Sequence, residues 1–550
     1  MNCRRILAWL VAGSLLTGNP PAAAGGSPIS SADLRTWLTY LASDELQGRP
    51  TFGAGLGLAA GYIQGHLSRW GVEPGGDNGG YLQAVKVLGV KATSRSTVTV
   101  RVGDVSRTFR DGEDVFFPRE MGGRRTISLS LVTFIGYGLE APGLNHDDLV
   151  GKDLEGAAVV YLGASGPRQV EGSRHRRLLA GRSRHVIDQR RAAAAIGPAP
   201  ERVPRKATAV GPSGRRSPDF TTAERLDRAV PPAITAGDRF YEFLFSNAPT
   251  RYDGLKRKAS AREPLPSFQL DDVTLTFSID VDYEVVRTQV THNVVGIVRG
   301  SDPVLRDTYV GFGAHYDHVG YAEGDPSRDE QAAPGRVTAS AKADRIWNGA
   351  DDDGSGTVAL LALAKAFAAS GGRPKRSVIL VWHAGEERGL WGSRYFADAP
   401  TVPLDRMVAL LNIDMIGRNR NDDPQQSNTV YLVGSDRISS ELHDINRAAN
   451  RALTQPLTLD YEMNDPGDLE QLYYRSDHYS YAAKGVPVIF FTTGLHPDYH
   501  ANTDEVSRIE FDKLTRITQL VHETGLRLAN LDHAPMRDYR GPRAGKGTRE

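Results

Sequence analysis

A chain of 550 residues exceeds what one ordinary core buries, so two folded units are expected, and 40% hydrophobic with 24% charged residues excludes a disordered or fibrous class. Sixty-six basic residues balance 66 acidic ones, and the zero formal charge excludes a whole-chain field directed at nucleic acid or an anionic membrane. The single cysteine, Cys3, excludes a disulfide framework.

Residues 1–24 read as a secretory signal peptide: Arg4 and Arg5 precede the apolar run 6–16, and small residues follow at Ala22 to Ala24. The run falls short of the roughly 20 residues that span a bilayer, so no stable membrane anchor is expected after cleavage. Cys3 leaves with the leader, which removes a cysteine nucleophile as well. An exported chain without disulfides suits a bacterial-type cell envelope, secreted or periplasmic.

Leu34, Trp37, Leu38 and Leu41 recur at helical spacing behind a Ser/Asp cap signal, and a second helix is expected over 56–71. The segments 96–102, 125–138 and 157–163 alternate or run apolar with β-branched residues, as strands do. Over 165–228 the composition turns to Arg, Ala, Gly and Pro. With Phe220 its single Phe, Tyr or Trp to stack on bases, this stretch reads as a solvated helix and a long surface loop, not a nucleic-acid patch.

Strands return at 273–286 and 291–300. Beyond residue 300 the pattern becomes strand, loop, helix, repeated: 307–315, 356–370, 376–384, a helical turn at 390–397, then 407–417, 428–434, 437–452 and 486–494. Continuous apolar strands between helices predict an α/β fold, a mostly parallel mixed sheet with helices on both faces, beside a β-rich inserted domain. The tail 533–550 is basic and poor in apolar residues and is expected to be disordered.

In open α/β sheets the site lies beyond the carboxyl ends of the strands. His315 and Asp317 follow one strand, Glu386 and Glu387 a second, Asp414 a third, and His500 comes shortly after a fourth. The loop 348–356 adds Asp351, Asp352 and Asp353 ahead of a helix. An isolated Asp-Gly-Ser is ordinarily a helix cap, and a calcium loop starting at Asp351 would need Glu at its twelfth position, where Ala362 stands. Imidazole and carboxylate donors suit zinc, and three carboxylates (Asp352, Glu387, Asp414) and a bridging hydroxide, with two neutral imidazoles (His315, His500), counterbalance two divalent ions. Asp317, two residues beyond His315 on an extended strand, shares its face and can orient the imidazole.

The segments GAHYDHVG, NGADDDGSGT, HAGEERGLWGS, LLNIDMIG and YHANTDE, with LASDELQGR near the N-terminus, together resemble the co-catalytic zinc aminopeptidase family, which also includes glutamate carboxypeptidases and glutaminyl cyclases. The resemblance covers about 290–530 and, in part, 30–90. It implies two zinc ions per chain, with His315 and Asp414 on one, Glu387 and His500 on the other and Asp352 bridging them. It further implies Glu386 as general base, Asp317 as orienting carboxylate, Tyr499 as oxyanion stabiliser and a cis peptide at Asp352-Asp353. The segment 134–163 looks like the start of a protease-associated domain.

The expected organisation is a signal peptide at 1–24, the N-terminal part of the peptidase domain at 25–110, the protease-associated-like insert at 111–285, the metal-binding peptidase domain at 286–532 and the tail at 533–550. The expected activity is removal of N-terminal residues from peptide substrates. A carboxypeptidase, a glutaminyl cyclase or a non-catalytic receptor on the same scaffold are the alternatives.

Overall fold

The computed structural model describes residues 29–199, 218–323, 333–369 and 373–550. The signal peptide expected at 1–24 lies outside the described residues, as do 200–217 of the arginine-rich stretch. Among the described residues no helix is long and apolar enough to cross a membrane.

Helix α1 (Ser31–Leu41) starts where the Ser30 side chain accepts the backbone N–H of Asp33, and it buries Leu34, Trp37, Leu38 and Leu41, the stripe read from the sequence. Helix α2 (Ala54–Arg69) leads to strand β1 (Leu82–Ser94). Short helices α3 (Arg176–Ala180) and α4 (Arg182–Asp188) and strand β2 (Asp219–Thr222) precede β3 (Val281–Val298), a strand of 18 residues. Then come β4 (Tyr309–His315), α5 (Gly356–Ala369), β5 (Ser377–His383), α6 (Trp391–Asp398), β6 (Met407–Ile413), β7 (Thr429–Val433), α7 (Ser440–Ala452), β8 (Thr458–Asp460), β9 (Val488–Thr492) and α8 (Phe511–Asn530).

The large sheet runs β2-β1-β3-β5-β4-β6-β9-β7-β8. Its centre, β5-β4-β6-β9, is parallel, while β1, β2 and β3 join antiparallel on one side and β7 on the other. The parallel strands are buried along their whole length, as a sheet covered on both faces requires. One face carries α1, α2, α5 and α8 over a core that includes Leu38, Ile63, Leu363 and Leu520; the other packs Val381, Phe396 and Val488. Helix α8 crosses β4 so closely that a Cβ on Gly525 would sit 2.2 Å from the Phe312 ring.

A second body holds two further sheets. Val132–Phe134, Ala158–Val160, Ala194–Pro198 and Ala233–Ala236 pair in parallel, edged by Val115–Phe116 and Phe268–Gln269. Thr97–Val102, Val105–Arg110, Arg125–Leu129 and Val273–Ile279 form an antiparallel sheet, and the two share a core that includes Val98, Phe134, Ile196, Phe240 and Leu275. The strands at 97–110, placed by sequence with the N-terminal part, therefore pair inside this body. Strand β2, placed by sequence in the insert, pairs with β1 in the large sheet. Alternation reveals that a segment is a strand but not which strand it joins. The bodies are linked by the β1/β3 ribbon, whose register shifts between Val285 and Arg287 at a bulge.

The tail 533–550 departs from expectation by docking. Asp538 accepts from Ser440, Asp436 Oδ2 accepts the Arg543 and Ala544 N–H groups at 2.7 and 2.8 Å, and Glu550 exchanges backbone hydrogen bonds with Leu459 at the β8 edge. Arg549 pairs with Asp460 at 2.6 Å. Low apolar content did not prevent order because the partners are backbone groups and carboxylates already fixed in the peptidase half.

Candidate metal centre

Strand register sets the site. His315 lies beside His383 across β4 and β5, so Glu386 and Glu387 leave β5 just beyond that level. Gly313 opposite Asn412 puts Asp414 level with His315 at the end of β6. The three aspartates ahead of α5 divide their tasks. Asp351 Oδ1 accepts the Gly417 N–H at 2.6 Å, and its Oδ2 lies 3.2 Å from His496 Nε2. Asp353 accepts backbone N–H groups from Gly356 (2.9 Å), His315 (3.1 Å) and Met415 (3.2 Å), capping α5 and tying together the ends of two strands. Asp352, between them, turns into the cluster, and its peptide bond to Asp353 is cis.

Asp352 Oδ1 is 3.3 Å from His315 Nε2, and Oδ2 is 3.1 Å from His500 Nε2. On the first side Asp414 Oδ2 lies 3.8 Å from His315 Nε2; on the second Glu387 Oε2 lies 2.9 Å from His500 Nε2. The structure thus brings together all five residues named from sequence, as two histidine–carboxylate pairs sharing Asp352.

Burial opposes ionisation of Asp352, yet the His315 and His500 imidazoles outweigh it and hold its carboxyl well below the usual range. Burial opposes protonation of His500 too, but Asp352 and Glu387 raise it to about 11. The cluster therefore demands positive charge at its centre. Asp352 Oδ2 and Glu387 Oε1 are buried without a well-directed hydrogen bond. Unsatisfied carboxylate oxygens beside imidazole nitrogens fit a divalent cation that takes nitrogen and oxygen donors.

Glu386 and Tyr499 line the same cavity as His315, Asp352 and Asp414. The Glu386 carboxylate makes no hydrogen bond among the described residues, and burial, with Glu387 and Asp414 nearby, pushes it well above the usual range although His315 draws it down. Tyr499 stacks on His500 with ring centroids 4.0 Å apart, and its hydroxyl oxygen accepts from Arg475 at 3.1 Å.

Asp317 is placed differently from its sequence reading. His315 Nδ1 donates to the Asp317 backbone carbonyl at 3.0 Å, while the carboxylate lies 3.7 Å from that nitrogen. The carboxylate instead accepts the Thr51 hydroxyl at 2.8 Å and the Glu386 N–H at 3.2 Å, so it orients the loop that carries Glu386. The tight turn after β4 brings the carbonyl closer to the ring than the side chain.

Sequence reasoning left out His318, Ser476 and Arg475. His318 Nδ1 is 2.9 Å from Glu387 Oε1, and His318, Asp352 and Glu387 offer donor atoms within 4.8 Å of one another, as do His315, Asp353 and Asp414. Ser476 donates to Asp414 Oδ2 at 2.6 Å. His318 carried a signal, three residues past His315; Ser476 carried none, its place beside Asp414 depending on the loop between β8 and β9.

Residues 293–525 match the model of peptidase family M28. The M28 match contains all five clustered residues. Leucine aminopeptidase 1 of Trichophyton equinum is 25% identical over 240 residues, 42% of this chain and 56% of that protein. Aminopeptidase Y of Saccharomyces cerevisiae is 25% identical over 269 residues, 46% of this chain and 40% of that protein. The chain thus spans about half the length of these curated relatives. A solved aminopeptidase from Aneurinibacillus sp. strain AM-1 aligns over 95% of this chain and 98% of its own, at 16% identity and a TM-score of 0.42.

Proposed function

We propose that the chain is an exported two-zinc aminopeptidase that removes N-terminal residues from peptides. The observation that carries this reading is Asp352, whose two oxygens face His315 and His500 from opposite sides, with the unbonded Glu386 carboxylate lining the same cavity. His315 and Asp414 would hold one zinc, His500 and Glu387 the other, and Asp352 both. Zinc, when bound, supplies the positive charge that polarises a peptide carbonyl and acidifies water.

The remaining work falls to the chain itself. Glu386, outside both donor sets and raised by its surroundings, takes the proton of the attacking water and returns it to the leaving amine. Asp317, through the Glu386 N–H and Thr51, fixes the loop from which that carboxylate reaches. Ser476 orients Asp414. Tyr499 offers a hydroxyl to the oxygen on which charge develops. The relatives named as aminopeptidases support activity on free N-termini. The second body is proposed as a protease-associated-like insert that shapes access while contributing no zinc donor.

The test is hydrolysis of matched free and N-acetylated peptides, with metal content determined on the same sample. About two zinc ions per chain and cleavage restricted to free N-termini are expected. Equal rates on both substrates would point to a carboxypeptidase or endopeptidase, and cyclisation of N-terminal glutamine without hydrolysis to a glutaminyl cyclase.

A further inference from the structure

The arginine-rich stretch has no part in the chemistry so far, yet its residues 177–188 lie against the loop that walls the active site. Arg177, in α3 of the second body, places a guanidinium nitrogen 3.3 Å from Glu470 Oε2. The same oxygen accepts from Arg475 at 2.8 Å, and the other end of that guanidinium donates to the Tyr499 hydroxyl oxygen at 3.1 Å. Helix α4 grips the loop further along: His185 Nδ1 is 2.6 Å from the Tyr474 hydroxyl, the Arg184 guanidinium lies 4.4 Å from the centre of the Tyr474 ring, and Asp188 accepts the Tyr479 hydroxyl.

We infer that Arg177 and Glu470 are positioning residues: through Arg475 they fix the Tyr499 hydroxyl, so that the second body sets the oxyanion-stabilising geometry of the peptidase half. The physical reason is directional. An oxygen that accepts from a cation keeps its own proton free to donate elsewhere, and a donor held in place before charge develops needs no reorganisation when it does. Glu470 is the joint, because one oxygen serves an arginine from each body. Neither residue reaches the metal donors, so the relay acts on the transition state and leaves zinc binding to His315, Asp352, Glu387, Asp414 and His500. The inference rests on the aminopeptidase reading and on the Tyr499 role within it.

The experiment compares the full-length native chain with Arg177→Ala, Arg177→Lys, Glu470→Ala, Tyr499→Phe and the Glu470→Ala/Tyr499→Phe double variant, reading kcat, KM, zinc content and thermal melting. Arg177→Ala should lower kcat about two- to fivefold, the range for an exposed ion pair, and Arg177→Lys should recover most of it. Glu470→Ala should lower kcat about tenfold through the lost charge-assisted hydrogen bond, with KM and zinc unchanged. In the Tyr499→Phe background the Glu470→Ala loss should vanish, since the cycle reports what passes through that hydroxyl. An undiminished loss in that background overturns the relay, as does normal turnover or depleted zinc in Glu470→Ala. A native chain that hydrolyses no free peptide overturns the aminopeptidase reading and the relay with it, an outcome distinct from an active native chain with unaffected variants.

Discussion

Glu386 and Glu387 are neighbours in the chain with opposite surroundings. Glu387 is held near His500 and His318, and those imidazoles bring it down to about 2 against burial and the nearby Asp352. Glu386 has no such partner and is pushed up. Glu386→Gln should therefore retain zinc and lose turnover by about 10²–10⁴-fold, while Glu387→Gln should lose zinc first. Kinetics and metal analysis on both variants check this, and exchanged phenotypes would reverse the roles. Away from the centre, burial pushes Glu505 up to about 7, even though Asn348 donates to it at 3.1 Å. Its folded pKa exceeds its unfolded value, so the folded state binds the proton more tightly. The stabilisation is full at acid pH and is lost as pH rises through about 7. Glu505→Gln should flatten the fall in melting temperature between about pH 4.5 and 7; an unchanged slope would remove Glu505 from that dependence.

Among the elements, the crossing of α8 over β4 is the least tolerant. A Cβ at Gly525 meets Phe312 at 2.2 Å, and both neighbours are fully buried, so Gly525→Val should cost at least about 1–3 kcal/mol and lower the melting temperature of the peptidase half. A Phe312→Leu change in the same chain should restore part of it, which calorimetry would read directly. Elements of this kind were legible in the sequence where burial is continuous. Strands β4, β5, β6 and β9 appear as unbroken apolar runs, and their polar termini marked His315, Glu386, Glu387, Asp414 and, at a short distance, His500. Features that depend on a partner elsewhere in the chain were not legible. The Asp317 carboxylate serves Thr51, 266 positions away, and the tail docks on groups that include Asp436, Asp460 and Leu459. The strand at 97–102 showed its alternation, but the sheet that receives it is fixed by Val273–Ile279, far along the chain.

For the molecule as a whole, the centre is a cluster of buried carboxylates and imidazoles whose charges are balanced best by metal, so loading and stability are linked. A ligand bound only by the folded state at 100 times its dissociation constant adds about 2.7 kcal/mol. Chelation should therefore lower the melting temperature, and added zinc should restore it together with activity. A melting curve indifferent to chelator would argue against zinc at this centre.

The long strand β3 joins the two bodies. It spans 18 residues, roughly 60 Å if extended, pairing with β1 where it leaves the second body and entering the large sheet beside β5. The second body is thus mounted on the peptidase half like a beam held at two points, by this ribbon and by the contacts of α3 and α4 with the 470–479 loop. A twist of the ribbon at the bulge between Val285 and Arg287 would therefore have to strain or break those contacts.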